Sequence, residues 1–385
     1  MMMLRIERDK NGEVNVPSHA YYGVETMRAA GEYPTVNARV HSEFIKALAS
    51  VKSATVRAGI EHSIVPERIG NLIMKATDEI MDGKHSEQFI TDYIHGSSSN
   101  ILNVNMNEVL ANRALELMLE DKGNYAVVDP DIHVNGPHTA DWIISTTLNV
   151  AAHQSSHKLI TAIEGLKYRL WMAKELLEGQ RPADSADSVM MVSTRLIRSF
   201  RESAKQLQLD ATPLTEAASR LKSIRIDSAP DAAMPHSYCE LTERTVSYLR
   251  QITRTDYFAA SHYQDSSSGS KSAYADLSSV LKTLAVNLFK LCCDIRNAFM
   301  SEKDMNPPNR IYYESAGFLH QICMQVIGYD HIINLAEEAG MPDDDTVPPV
   351  ILYHLMESLD IMMKGIGSFA SSLTREQNDA DTTAD

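Results

Sequence analysis

Residues 96–116 read GSSSNILNVNMNEVLANRALE. Ser97, Ser98, Ser99 and Asn100 place three hydroxyls and an amide directly ahead of a helical apolar pattern. Uncharged donors, joined by the free N–H groups and positive dipole end of a helix, suit an anion better than solubility requires. The chemistry they would serve is removal of a proton beside a carboxylate, where further negative charge develops and donors must already be aimed at it. The same residues could instead cap the helix through an Asx or Ser turn. The residues alone leave both readings open.

Two further groups are candidates for chemistry. The stretch SHYQDSSSGSKSAYADL (261–277) is again rich in hydroxyls. Ser268 near its centre, with Lys271, could form a substrate-closing loop with a Ser–Lys pair, or the stretch could be a flexible linker leading into a helix cap. His153 and His157 stand four residues apart, a helix-face spacing compatible with a metal. No third ligand or HExxH context accompanies them, so an ordinary polar pair is expected and no metal centre.

The elements that must position these groups are long helices. The segment from Pro137 to Gly179 has no internal proline and one internal glycine, Gly165; proline suits a helix start and glycine its exit. A helix of that length spans about 60 Å. Apolar residues at three- and four-residue steps extend over 187–209, 237–255, 270–300, 311–340 and 348–374. Long amphipathic helices joined by short turns make a bundle. The expected fold is therefore mainly α, a long-helix bundle (131–375) behind a small mixed N-terminal domain (1–130), with an acidic disordered tail (376–385). Strand signals are confined to the first thirty-odd residues and a weaker one at 125–129. Several bundle faces, such as 318–336 and 351–369, carry too many large apolar residues for one stripe, which calls for burial against other subunits.

Composition closes off other classes. With 385 residues, 44% apolar, the chain can bury a sizeable core without disulfides. Its four cysteines show no CxxC spacing, so reduced thiols and a cytoplasmic setting are expected. A formal charge of −15 argues against nucleic acid. No uncharged run reaches the ~18 residues needed to span a bilayer, and the charged N-terminus is unlike a signal peptide.

The 96–116 run, the segment at 16–34 and the long helices at 281–296 and 325–340 resemble the aspartase/fumarase superfamily of lyases. VPSHAYYGVETMRAAGEYP (16–34) is similar to its Tyr-Tyr-Gly-Val-x-Thr-x-Arg-Ala motif, NEVLANRALE (107–116) to its Asn-Glu-Val-x-x-Asn-Arg-Ala run, and 281–296 with 325–340 to its last bundle helices. The resemblance covers nearly the whole chain and stops at the fifth bundle helix, without the small C-terminal helical domain of larger members. It implies a homotetramer whose active sites are each shared by three chains. It also implies elimination of ammonia, water or another amine from a small carboxylate substrate, without metal or organic cofactor. Arg28 matches a substrate-site arginine, and Ser97 to Asn100 match carboxylate donors.

Elsewhere the chain departs from the superfamily pattern. The second motif, Ser/Thr-Ser/Thr-Asn-Asp after a His-Val-Asn entry, aligns with HVNGPHTADWII (133–144), giving Thr139, Ala140, Asp141 and Trp142. An ionised Asp141 would repel a dicarboxylate. His138 lies in the same segment and is a candidate substrate contact. The Thr-His pair of the third motif is replaced by Arg181 and Pro182. In the signature loop, Lys303 to Met305 stand where Gly-Ser-Ser, with its serine base, belongs; Arg310 falls at the lysine and Tyr312 at the asparagine. The resemblance therefore implies a lyase with a remodelled site, with Arg28, Ser97, Ser98, Ser99, Asn100, Thr139 and Arg310 as binding groups. His138, Asp141, Ser268 and Tyr312 are its candidate acids or bases. The alternative is a catalytically silent homologue serving as a binding or regulatory subunit, possible beside an active paralogue.

Overall fold

The computed structural model describes residues 3–32, 36–94, 100–179, 187–225, 235–260, 269–299, 307–339 and 349–373. The tail at 376–385 lies outside them. The chain divides into two compact units: 1–152 with 221–271 and 339–356, and 153–220 with 272–338 and 357–385. No helix among the described residues is long and apolar enough to cross a membrane.

The first unit opens on an antiparallel hairpin of β1 (Leu4–Asp9) and β2 (Gly12–Pro17), registered from Leu4 opposite Pro17 to Asp9 opposite Gly12. Arg5 ties the hairpin to the chain that follows by donating to the carbonyls of Pro17, Ala20 and Tyr22 at 2.7–2.8 Å. Four helices come next: α1 (Val24–Glu32), α2 (Ser42–Glu61), α3 (Glu67–Met81) and α4 (Asn100–Leu117). A π-helical turn, Pro130–Asn135, is capped by Asp129, whose Oδ1 accepts from the N–H groups of Asp131 and Ile132, each at 2.8 Å. It leads into α5 (Ala140–Gly179). Later in the chain, β3 (Ser223–Arg225) pairs in parallel with β4 (Phe258–Ala260), with α7 (Pro235–Thr253) between them in sequence.

The second unit takes its helices from α5, α6 (Asp187–Arg220), α8 (Gly269–Phe299), α9 (Pro307–Glu338) and α10 (Pro349–Ser372). Polar contacts mark a closed cycle of neighbours. Lys167 on α5 bonds Gln208 on α6, and Asp210 on α6 accepts from Asn287 on α8 at 2.9 Å. Ser278 and Lys282 on α8 both reach Asp330 on α9, at 2.9 and 2.6 Å. Ser315 on α9 meets Ser372 on α10 at 2.9 Å, and Ser371 on α10 lies 3.5 Å from Arg169 on α5. Between these contacts run the apolar stripes read from the sequence; Leu277, Leu281, Leu284, Leu288, Leu291 and Ile295 are all buried. Gly365 allows α10 close to α9, where a Cβ would lie 2.7 Å from Ile322 Cδ1.

The helical bundle is the one the sequence periodicity predicts, with three corrections. α6 runs past 209 to Arg220 and through Pro213. The proline removes one backbone bond, but buried Leu207, Ala211, Leu214, Ala217 and Ala218 carry the stripe across it. Residues 125–129 form turns, not a strand: Gly123 adopts φ +85°, and the N–H of Val127 bonds the Asn124 carbonyl at 3.0 Å, so turn chemistry overrides β propensity. The short β3–β4 pair carried no readable strand signal at three residues each.

Candidate active site

The Asn-Glu-Val-x-x-Asn-Arg-Ala run occupies α4, and its polar side chains are structural anchors. α4 buries 12 of its 18 residues, among them Asn103, Asn105, Asn107, Glu108 and Asn112. Glu108 serves as the N-terminal cap of another helix. Its Oε2 accepts from the N–H groups of Gly23 and Thr26 at 2.8 and 3.1 Å, and its Oε1 from Glu25 at 2.8 Å, so the start of α1 is pinned to α4. Burial pushes the Glu108 carboxyl up to about 7, against the pull of those donors. Asn112 donates to the Tyr21 carbonyl and the Tyr125 hydroxyl at 2.9 and 3.0 Å, and accepts from the Gly123 N–H at 2.7 Å. Arg113 forks onto Glu79 at 2.7 and 2.8 Å and also meets Glu116, which accepts from the Tyr21 hydroxyl at 2.5 Å. Gly23 has no room for a side chain: a Cβ would stand 2.2 Å from Tyr125 Oη. Two motifs far apart in sequence are thus one rigid assembly.

A second polar cluster joins α4 to the turn that enters α5. Asn135 Oδ1 receives three donors: Lys52 Nζ at 2.8 Å, Asn103 Nδ2 at 3.0 Å and Asn107 Nδ2 at 3.4 Å. At its other end Asn135 Nδ2 donates to the His138 carbonyl at 2.8 Å. The Oδ1 atoms of Asn103 and Asn107 are buried without a hydrogen-bond partner among the described residues. His138 is 3% exposed, stacks on Trp142 with ring centroids 4.3 Å apart, and has Nε2 3.2 Å from Thr245 Oγ1 on α7. Thr245 commits its own proton to the Leu241 carbonyl, so it accepts from His138 and places a proton on Nε2. The Trp142 indole N–H is held by the Arg225 carbonyl at 2.6 Å. α4, α2 and the turn entering α5 therefore meet at the Asn135 amide, while the His138 ring faces Trp142 and Thr245 on α7.

The residues expected at a site fall in several places. Asn100 is the exposed first residue of α4. Ser97, Ser98, Ser99 and Ser268 lie outside the described residues, as do Arg181, Pro182 and Lys303 to Met305. Thr139 caps α5, its Oγ1 accepting from the Trp142 N–H at 3.2 Å, and Asp141 stands half-buried in the first turn of that helix. Arg28 is bound bidentately to Asp9 at 2.7 and 3.1 Å, with Nη2 also 3.3 Å from the Gly12 carbonyl. In the second unit, Arg310 is exposed and pairs with Glu314 at 2.8 Å, whereas Tyr312 is 2% exposed with its ring edge-on to Phe200. His153 and His157 lie edge to face at 4.6 Å.

Sequence reasoning missed Lys52, Asn103, Asn107, Asn135 and Thr245. Asn103 and Asn107 carried a readable signal, one helical turn apart in an asparagine-rich run. Lys52 carried a subtler one: a lysine at the centre of a helix that buries both its neighbours, Val51 and Ser53. A cavity of about 310 Å³ also opens beside α4, lined in part by Asn107, Glu108, Glu25 and Asp131. Burial, with repulsion from Asp131 and Asp9, raises the proton affinity of Glu25, and Arg8 and Lys10 also line the cavity, so its wall carries both signs of charge.

Comparison with known proteins decides the ancestry of this arrangement. A lyase family model matches residues 12–178. The aspartate ammonia-lyase of Escherichia coli (strain K12) is 30% identical over 384 residues, covering 93% of this chain and 78% of that protein. The chain belongs to the aspartase/fumarase superfamily of lyases. Another relative, the aspartate ammonia-lyase of Bacillus subtilis (strain 168), is 28% identical over 382 residues, covering 96% of this chain and 80% of the relative. Solved structures share the superfamily fold: a fumarate lyase/delta crystallin from Brucella melitensis (24% identity, TM-score 0.81, 96% and 87% of the two chains) and a class II fumarase from Schistosoma mansoni (18%, 0.79, 96% and 84%).

Proposed function

We propose that this superfamily member is a lyase that eliminates or adds an amine or water on a small carboxylate or amino-acid substrate, through a site remodelled away from that of an ordinary aspartase or fumarase. The observation that carries the reading is the meeting of α4, α2 and the turn entering α5 at the Asn135 amide, with the buried Lys52 amine on its Oδ1 and the His138 carbonyl on its Nδ2. The Oδ1 atoms of Asn103 and Asn107, buried acceptors without a partner among the described residues, each cost about 1–3 kcal/mol and suit a donor such as a substrate's amino group. Remodelling is supported by Asp141 at the motif amide and by the absence of Gly-Ser-Ser from the signature loop. His138 and Asp141 are the acid–base candidates of the first unit, and Ser268 and Tyr312 those from later in the chain. Ser97 to Asn100, Thr139, Arg28 and Arg310 are proposed as binding groups. Nothing in the reaction calls for a cofactor.

The proposed assembly is a homotetramer with shared sites. Its support is the large side chains that the bundle helices leave open, including Trp171, Phe318, Met324 and Leu335, each 46–58% exposed. Buried free thiols at Cys292 and Cys323 accord with a reducing cytoplasm.

Ultraviolet absorbance of fumarate provides the test. Aspartate and malate are expected to give very slow turnover, because each lost oxyanion-type contact is worth about 2.7–4 kcal/mol; a series of other amine adducts of fumarate is expected to include a faster one. Robust turnover of aspartate would refute the remodelling, and silence across the series would refute the lyase reading. One observation favours a silent binding subunit instead: Arg28 and Arg310, the two cations proposed to meet carboxylate, are already paired with Asp9 and Glu314.

A further inference from the structure

Lys52 has no role in the superfamily resemblance, yet it is the most unusual charged side chain of the first unit. It sits in the middle of α2, is 0% exposed, and has the Asn135 amide oxygen as its one hydrogen-bond partner among the described residues. An amine so placed is costly compared with an apolar residue of the same length. Burial pulls its proton affinity well below the usual lysine range, opposed by the charge of Asp131. What it touches gives the reason for its presence. Of the three donors on Asn135 Oδ1 it is the nearest, and Asn135 uses its other end to hold the His138 carbonyl at 2.8 Å. That bond closes the turn between the π-helical segment and α5. The turn in turn sets His138 against Trp142 and Thr245, and Thr139 at the cap of α5.

We propose that Lys52 is a positioning residue for the lyase reaction: by fixing the Asn135 amide it holds the turn that presents His138 and Thr139. This rests on the functional reading above. Lys52 touches no reacting atom; it acts through Asn135. A donor on Asn135 Oδ1 orients the amide so that Nδ2 faces the His138 carbonyl, and it polarises the amide, strengthening the second bond.

The test uses the full chain and does not require a known substrate. Lys52→Met keeps the volume without the donor; Lys52→Ala leaves a space that n-propylammonium can refill with one. Hydrogen exchange by mass spectrometry is followed over 136–142, with α2 (44–58) and α4 (102–115) as internal controls. The expected result is that Lys52→Met speeds exchange of 136–142 roughly tenfold, the worth of one such bond, with α2 and α4 unchanged. n-Propylammonium chloride should slow it again in Lys52→Ala, and sodium chloride at equal ionic strength should not. Unchanged exchange in both variants, loss spread evenly over α2 and α4, or no difference between the two salts would each overturn the proposal. With a substrate in hand, Lys52→Met is expected to lower kcat and leave KM within about twofold, the mark of an effect on the reacting geometry. If the wild-type chain turns over nothing, the lyase reading fails while the exchange result still decides what Lys52 holds.

Discussion

Replacing Glu108 by Gln tests the anchoring of the Tyr-Tyr-Gly-Val segment on α4. A carboxyl with an ordinary value of 4.5 stands at about 7 in the folded chain because it is buried. Its folded-state proton affinity is therefore above the unfolded one, so its contribution to stability is full below 4.5 and is lost as pH rises through 7. Over that window the loss is about 3 kcal/mol, undiluted by solvent because the group is buried. Gln has no proton to lose, but it has one acceptor oxygen where Glu108 offers two to the N–H groups of Gly23, Glu25 and Thr26. One donor is left opposite an amide N–H₂, at a cost of about 1–3 kcal/mol. At about pH 5 the variant should be less stable than the wild-type chain by that amount, and by about pH 8 the gap should close or reverse. Urea unfolding of both proteins at one concentration, across that range, measures the difference, with fixed concentration removing assembly effects. A gap that stays constant from acid to alkaline pH refutes the reasoning, because titration of Glu108 would then contribute nothing to the anchor.

Other substitutions probe neighbouring steps of the argument. Gly23→Ala forces a Cβ against Tyr125 Oη and Glu108 Cδ and should cost about 1–3 kcal/mol or more, read as a lowered Tm; a wild-type Tm would show that the segment is looser than described. Asp330→Ala removes the acceptor of buried Ser278 and of Lys282, which is 43% exposed and can return to water. The expected loss is about 2–3 kcal/mol, below the 3–5 of a fully buried pair, and an unchanged unfolding midpoint would contradict it. Asp141→Asn restores the amide of the second motif and should tighten fumarate binding by calorimetry at neutral pH; weaker binding would place Asp141 away from the anion.

The bundle was legible because apolar stripes at helical spacing persist over whole helices, as from Leu277 to Ile295, and no propensity competes with them over that length. Helix ends were legible to within a few residues, with α6 as the exception: a lone proline reads as a stop, and only packing shows that Pro213 is tolerated. The candidate site was half legible. Runs of Asn and Ser announce hydrogen bonding, but composition does not say whether a polar group will serve a ligand or a neighbour. Glu108, Asn112 and Arg113 turned out to serve neighbours. Thr245 was invisible and Lys52 only faintly marked, because their significance arises from contact with residues 107 and 83 positions away.

The parallel pair of β3 and β4 brings the start and finish of one excursion of the chain side by side, Ser223 opposite Phe258. Between those two feet lies α7, which supplies the hydroxyl facing His138. A loop fastened at its base in this way can drift in sequence or length without dragging on the segments before and after it. A change confined to α7 would therefore alter what His138 meets while leaving Ser223 opposite Phe258.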